Sequence, residues 1–502
     1  MTPPLGAGGP PVAVVDLGSN SIRLVVYERL ARAPLSRFNE RRFCGLGREL
    51  EVTGRLAPEA IGPALRTLRR YTWLARASGC ERVEILATAA VRRAADGPEF
   101  VRAVEATTGE RVRVVSGEEE ARLSALGVRC GFHEPSGFVG DLGGGSVELA
   151  RLGPDDGAPA GVSLPIGALA VGEALRQDRG GVEARIRAVL EDFPELRGAA
   201  RGRDLYLVGG SWRSIGRAHM AIADTPLKVV HGLTLAPAET IRFCRELAAL
   251  DPRGRARVPG VSRRRLDLLP AGALLLEQVV RLLEPDRVVF SATGLREGRL
   301  FEWLEPEVRA QDPLLAGCAD LGARDGRTVA IGPALAEWTA PLFAGEAPAE
   351  ARLRTAVCLV SDTAWREHPE SRARDAFFTL AHYPLFGIDH VERAFLAYAL
   401  FCRYEGKRDD PAIARIVGLL DKPQRRRAEA LGAALDLGFR LSGGLAQVLP
   451  ACRIRREGAV LVLELDHPAV DPEDDAVVGR LETLVSTLGL DRAEIRGRSR
   501  PA

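Results

Sequence analysis

Residues Val14–Tyr27 read VVDLGSNSIRLVVY, two apolar β-type runs joined by the small polar turn Gly18, Ser19, Asn20 and Ser21. A hairpin accounts for the turn but not for Asp16, because a charge at the end of a buried strand is costly without a partner. The chain repeats the device. DLGSNSIRLV (Asp16–Val25) aligns with DLGGGSVELA (Asp141–Ala150): Asp, Leu, Gly, Ser and Leu coincide at the same offsets, and Ile22 matches Val147. Two glycine hairpins, each preceded by an aspartate and each early in a β-rich half, predict a duplicated domain with a cleft between its halves. Two such loops facing one ligand would present backbone N–H groups to phosphate oxygens. A divalent cation would then account for the carboxylates, since hard cations on phosphates take oxygen ligands and water. Any one aspartate here could simply initiate its turn; the repetition argues for more.

Bulk properties bound the rest. At 502 residues the chain exceeds one core, and two to four domains are expected. A hydrophobic content of 46% with 27% charged residues reads as globular, and no apolar run is long enough to span a bilayer. Lys+Arg 69 against Asp+Glu 67 leaves +2, which favours neither a polyanionic partner nor its absence, because local patches decide. The opening MTPPLGAGGPP has neither a basic n-region nor an apolar h-region, so no secretory signal is expected. Eight scattered cysteines without a CxxC pair disfavour zinc and a disulfide scaffold. A reduced, cytoplasmic protein follows as the expectation, with no DNA and no membrane as partner.

Alternating β and α patterns predict a mixed sheet flanked by helices from Val12 to about residue 130, and a second cycle from about 131 to 305. Residues 1–11 read as a disordered tail. EPEVRAQDP (Glu305–Pro313) reads as the linker between domains. Residues 313–440 read almost entirely as helix, and 441–502 as a small α+β region whose β part begins at Val460–Leu465.

SGEEEARL (Ser116–Leu123) opens a helix. Ser116 and Glu119 fit a capping box, and acids suit a first turn. Capping covers Glu118 and Glu119 but not Glu120, one step further in. A carboxylate there, facing a phosphate-binding cleft, could deprotonate a water for in-line attack on phosphorus, which makes Glu120 the candidate base. Arg23 after the first turn, Arg92 after Thr88, and Arg265 and Arg296 near later helix starts are each ordinary surface arginines alone. Around a cleft they would bind phosphate bidentately.

VVDLGSNSIRL, ATAAVRRA, SGEEEARL, GDLGGGSVEL, SLPIGAL, VGGSWRSI, VHGLTL, RRRLDLLPAGALLLE and SATGLREGRL occur in the order typical of the exopolyphosphatase and guanosine pentaphosphate phosphohydrolase family, which the chain resembles from Val12 to Leu304. That family belongs to the actin-like ATPase superfamily. The resemblance implies an α/β fold of two ribonuclease-H-like subdomains around a cleft. It places the family's catalytic glutamate on Glu120 and its metal and phosphate loop on Asp141, Gly143, Gly144, Gly145, Ser146 and Glu148, with Asp141 and Glu148 toward the metal. The first phosphate loop falls on Asp16, Ser19, Asn20 and Arg23, with further phosphate-facing arginines at Arg92 and Arg265. Ser211 and Trp212 depart from the family's usual GGTxR; serine keeps the hydroxyl, and the tryptophan could change the local cleft wall, in a way the sequence does not say.

The later helices resemble the HD-like domain of longer members. An HD hydrolase needs His and His-Asp ligands on successive helices, but the pair position reads Ser361–Asp362, so a degenerate, non-catalytic HD-like domain is expected. His382 and His390 read as surface or partly buried histidines. KPQRRRAEALG (Lys422–Gly432) reads either as a solvated helix start or as a basic path for a long anion.

The resulting expectation is a Mg²⁺-dependent exopolyphosphatase, with K⁺ as a candidate second cation, acting on inorganic polyphosphate as a homodimer. Three alternatives stay open: a pppGpp 5′-phosphohydrolase, a polyphosphate- or nucleotide-binding regulator without turnover, and an ATP-dependent kinase or chaperone of the same fold.

Overall fold

The computed structural model describes residues 9–153, 161–176, 179–324, 328–466 and 474–497. Residues 1–8 of the expected tail lie outside them. The chain divides into two compact units that meet in sequence between Ala310 and Gln311.

The first unit contains two lobes on one plan. In the first, β1 (Val12–Leu17), β2 (Ser21–Tyr27), β3 (Ser36–Phe43), β4 (Arg82–Ala87) and β5 (Val112–Val114) form a sheet of order β3-β2-β1-β4-β5. β1 to β3 are antiparallel neighbours, while β4 and β5 run parallel to β1. The second lobe has β6 (Gly137–Leu142), β7 (Val147–Leu152), β8 (Gly161–Leu164), β9 (Asp204–Val208), β10 (Thr234–Leu235) and β11 (Arg287–Phe290). Its order, β8-β7-β6-β9-β11, repeats the first lobe strand for strand, with β10 added antiparallel at the edge. β1 and β6 are central, and covering both faces requires the nearly continuous apolar runs VAVVDL and GFVGDL.

Helices cover these sheets. In lobe one, α1 (Pro58–Ala77), α2 (Ala89–Arg93) and α3 (Gly97–Thr108) give Leu68, Tyr71, Val91, Phe100 and Val104 to a core with Val15, Leu17, Ile22 and Leu24. α4 (Gly117–Gly131) follows β5 as one unbroken helix and ends just before β6. Ser116 Oγ caps it by accepting from Glu119 N at 3.1 Å. In lobe two, α5 (Gly210–Ile222), α6 (Arg263–Leu266) and α7 (Leu269–Leu283) follow, and Trp212, Ile215, Leu274 and Leu275 pack with Leu142, Leu149 and Phe290. α8 (Leu295–Trp303) returns against α4, tied by Arg122–Glu302 at 2.5 Å and by Arg299 to Glu84 of β4 at 2.9 Å. Strand order and direction in each lobe are those of a ribonuclease-H-like sheet, present twice in the unit.

The second unit is mainly helical and ends in a three-stranded sheet. Its helices include α9 (Pro348–Leu359), α10 (His390–Arg403), α11 (Lys422–Ser442) and α12 (Asp475–Leu488), and β12 (Cys452–Glu457), β13 (Val460–Leu465) and β14 (Arg492–Gly497) pair in that order. Three details differ from the sequence reading. The β region begins at Cys452, because CRIRRE buries Cys452 and Ile454 while its arginines face outward and disguise the alternation. α11 runs to Ser442, past residue 440, and stops at Gly443, which takes a φ of 61°. The expected linker carries a one-turn helix at Pro306–Arg309.

Ser361 and Asp362 are wholly buried, and Asp362 lies 3.9 Å from Arg403. His382 is exposed, with Nδ1 2.9 Å from the Phe378 carbonyl, and His390 begins α10. Among the described residues, no group of three or more His, Cys, Asp or Glu side chains could hold a metal ion. The KPQRRR run starts α11: Asp421 caps Gln424 N at 2.8 Å, Arg425 Nε donates to Leu420 O at 3.0 Å, and Arg427 pairs with Glu346.

Candidate active site

The two glycine hairpins form the floor of a cleft between the lobes. Each closes with the same hydrogen bond, Gly18 N to Ser21 O at 3.1 Å and Gly143 N to Ser146 O at 3.0 Å. Asp16 pairs in register with Arg23, and Asp141 pairs with Glu148 at the equivalent ladder position. The hairpin tips meet: a Cβ on Gly144 would stand 3.0 Å from Ser19 Cβ, so a side chain there would press the two loops apart by a few tenths of an ångström. Between them opens a polar cavity of about 140 Å³, lined by Asp16, Ser19, Asn20, Glu120, Asp141, Gly143 and Gly144 among others.

Glu120 enters from the first turn of α4. It is 7% exposed, and Arg92 Nη1 of α2 donates to its Oε2 at 3.0 Å. Burial pushes its carboxyl up to about 7; Arg92 opposes the shift, whereas Asp141 and Asp16 reinforce it. The neighbouring Glu119 is spent on Arg113, and the neutral face of the helix packs inward, which separates the capping acids from the one aimed at the cleft.

Asp141 is held by Ser124 of α4, whose Oγ donates to Oδ2 at 2.5 Å. Glu148 stands behind the cleft at 1% exposure, and Ser163 Oγ of β8 donates to its Oε1 at 3.0 Å. Burial, then Glu120 and Asp141, raise its carboxyl well above the usual range. Glu148 Oε2 and Ser146 Oγ are shut off from solvent and outside ordinary hydrogen-bond geometry. Buried carboxylates crowded until they raise one another's pKa are the donor set a hard divalent cation would relieve. Two protein carboxylates would suffice for a magnesium ion that takes its remaining ligands from phosphate and water.

Arginines supply the opposite charge. Arg41, Arg213, Arg265 and Arg296 line the cavity. Arg296 reaches Asp16 at 3.7 Å and is fixed by Glu297; although burial pulls its pKa down, Glu297, Tyr27 and Asp16 raise it on balance. Arg213 donates to the Ser291 and Ala292 carbonyls at 3.1 and 3.2 Å, and burial with Arg23 and Arg296 lowers it to about 9. Burial, then Arg23, Arg265, Arg213 and Arg296, brings Arg41 down to about 8. Cations crowded until their own pKa values fall are short of negative charge, and a bound polyanion would supply it.

Not every predicted residue touches the cavity. Arg23 lies beside it, its Nε donating to Asn39 at 2.8 Å, and Arg92 acts on Glu120 from behind. Gly145, Ser146 and Glu148 form the back of the second loop. Arg41 and Arg213 carry no mark in the sequence reading. Arg213 lies in the very GGSWR segment whose tryptophan drew attention, whereas Arg41 is brought in only by its pairing with Arg23 across β2 and β3.

The matches to known proteins follow this geometry. The model of the Ppx/GppA phosphatase family matches residues 25–307, more than half of the chain. The chain belongs to the Ppx/GppA phosphatase family. The remainder, residues 314–495, matches the model described as exopolyphosphatase, C-terminal. Exopolyphosphatase 1 of Mycobacterium leprae is 29% identical over 59% of this Ppx/GppA protein and 90% of its own length. The solved PPX-GPPA enzyme of Aquifex aeolicus is 27% identical with a TM-score of 0.50, covering 58% of this chain and 98% of its own. An exopolyphosphatase structure from Cytophaga hutchinsonii, 21% identical with a TM-score of 0.53 over 58% of this chain and 97% of its own, shares the fold.

The structure answers the question that Trp212 left open in the Ppx/GppA site. Trp212 does not form a wall of the cleft. It is fully buried in the second lobe's core, with Nε1 donating to Gly272 O at 3.1 Å and its ring against Gly140. Only Ser211 of that pair lines the cavity.

Proposed function

We propose that this Ppx/GppA protein is an exopolyphosphatase that removes terminal orthophosphate from inorganic polyphosphate, with Glu120 as the base. The observation that carries this reading is the buried Glu120 carboxylate, near-neutral in pKa, at the rim of a cavity whose arginines outnumber their carboxylate partners. The loops at Asp16–Arg23 and Asp141–Glu148 would seat the terminal phosphate. Glu120 would take the proton of the attacking water, and Arg92 keeps its carboxylate oriented while Arg213 and Arg296 offset charge on the transferring group. Asp141 and Glu148 would hold Mg²⁺, which when bound neutralises phosphate charge. The same reading places the protein in the cytoplasm as a homodimer, with K⁺ as a candidate second cation. Its eight cysteines are all free thiols, and no described helix is long and apolar enough to cross a membrane.

The test is phosphate release from long-chain polyphosphate, pppGpp and ATP at matched phosphate concentration, with and without Mg²⁺. Release chiefly from polyphosphate is expected. Preference for pppGpp would make the protein a pppGpp phosphohydrolase, and no release from any of the three would leave a binding regulator.

A further inference from the structure

Phe43 ends β3 and pairs in register with Ser21, so it stands beside the first phosphate loop on the edge strand of lobe one. Arg264 and Arg265 of α6 reach it from lobe two, with guanidinium carbons 5.6 and 5.8 Å from the ring centroid. The ring and the two arginines therefore meet across the cleft. Arg265 and Ser21 line the cavity, as does Arg41, two residues before Phe43 and on the same side of β3, whereas Arg264 is exposed. Positive charge thus continues from the cavity outward to solvent at this one edge.

Folding alone does not call for this arrangement. Burial and Arg217 bring Arg265 down to about 10, and the two guanidinium groups that share one phenyl ring repel one another. An aromatic ring does, however, hold a guanidinium by its flat face, leaving the N–H edge to bind phosphate oxygens. We propose that Phe43 is a positioning residue that fixes Arg264 and Arg265 at the mouth of the cleft, where phosphates beyond the reacting end pass out, and so favours chains long enough to reach it. This rests on the reading that the cleft takes a phosphate chain, and it assigns the side from which that chain leaves.

The experiment measures equilibrium binding of tripolyphosphate and of long-chain inorganic polyphosphate to the full chain carrying Glu120→Gln, which slows turnover. Into it are introduced Phe43→Ala, Phe43→Tyr, Arg264→Ala and the Phe43→Ala/Arg264→Ala pair. Phe43→Ala is expected to weaken long chains about fivefold, as two surface cation–π contacts allow, and tripolyphosphate by less than about twofold. Phe43→Tyr should restore binding, and the pair should lose less than the sum of the Phe43→Ala and Arg264→Ala losses, because the two residues act together. Equal weakening at both lengths, additive losses, or no change would overturn the assignment. Phosphate release by the unsubstituted protein is measured alongside. Absence of release with the length-dependent loss intact would sink the exopolyphosphatase reading and keep this one. Release without that loss would do the reverse, and failure to bind long chains would sink both.

Discussion

Arg92 Nη1 donates to Glu120 Oε2 at 3.0 Å and to the Val115 carbonyl at 2.8 Å, so one guanidinium ties the candidate base to the short link between β5 and its helix. The pair sets a pH dependence. Burial holds Glu120 near 7, and a base works only when deprotonated, so kcat/KM should rise with pH through about 7 and fall away below it. Arg92 favours the charged carboxylate. Its removal in Arg92→Ala should move the ascending limb to higher pH, whereas Glu120→Gln should abolish that limb and lower kcat by about 10²–10⁴, the range usual for general base catalysis. A pH–rate profile of the three proteins checks this; an unshifted limb in Arg92→Ala would separate the arginine from the base.

Ser124 and Ser163 orient the two carboxylates of the second loop from elements outside it, α4 and β8. Groups that orient a metal ligand typically change metal affinity by about 10–100-fold when removed. Ser124→Ala is therefore expected to raise the Mg²⁺ concentration for half-maximal phosphate release by about tenfold, with kcat at saturating Mg²⁺ changed far less. Chelation of divalent cations should stop release altogether. A magnesium titration of both proteins gives the answer, and identical half-saturation would remove Ser124 from that role.

Much of the first unit can be read from the chain because its signals are local. The DLG hairpins at Asp16 and Asp141 encode turn, charge and duplication within ten residues each, and the capping serine before Glu120 lies in the same short run. What escapes the reading depends on pairing between distant segments. Arg41 becomes a cleft residue only because β3 lies beside β2, and Arg213 because α5 aims its first turn at the hairpin. CRIRRE hides a strand for a different reason: arginine on the solvent face suppresses the apolar alternation that marks β structure.

Trp212 makes the same point with opposite sign. Its place in a glycine-rich motif suggested a cleft residue, yet its ring fills the core between Gly140 and Gly272. Trp212→Ala should then cost about 3–5 kcal/mol of stability, as large-to-small core changes do, while activity per folded molecule stays close to that of the parent protein. Urea unfolding and active-site-normalised phosphate release together decide it. A variant of parental stability but altered KM would return the residue to the cleft.

α4 and α8, the helices that join the lobes, pack backbone against backbone: a Cβ on Gly298 would overlap the Leu123 carbonyl oxygen and crowd Gly127 N. Neither atom can move without shifting the axis of α4, the helix that carries Glu120 and Ser124. Gly298→Ala should accordingly cost about 3 kcal/mol, since backbone overpacking exceeds the roughly 1 kcal/mol that alanine otherwise gains over glycine in a helix. Gly62→Ala in α1 is the control. There an added Cβ meets nothing nearer than the flexible end of Arg66 at 3.4 Å, so it should be neutral or stabilising by up to about 1 kcal/mol. The two variants are compared by denaturant unfolding. If Gly298→Ala also retains less phosphate release per folded molecule than Gly62→Ala, the helix crossing sets the geometry of the base as well as the stability of the fold; equal stability of the two would show that the crossing tolerates a methyl group.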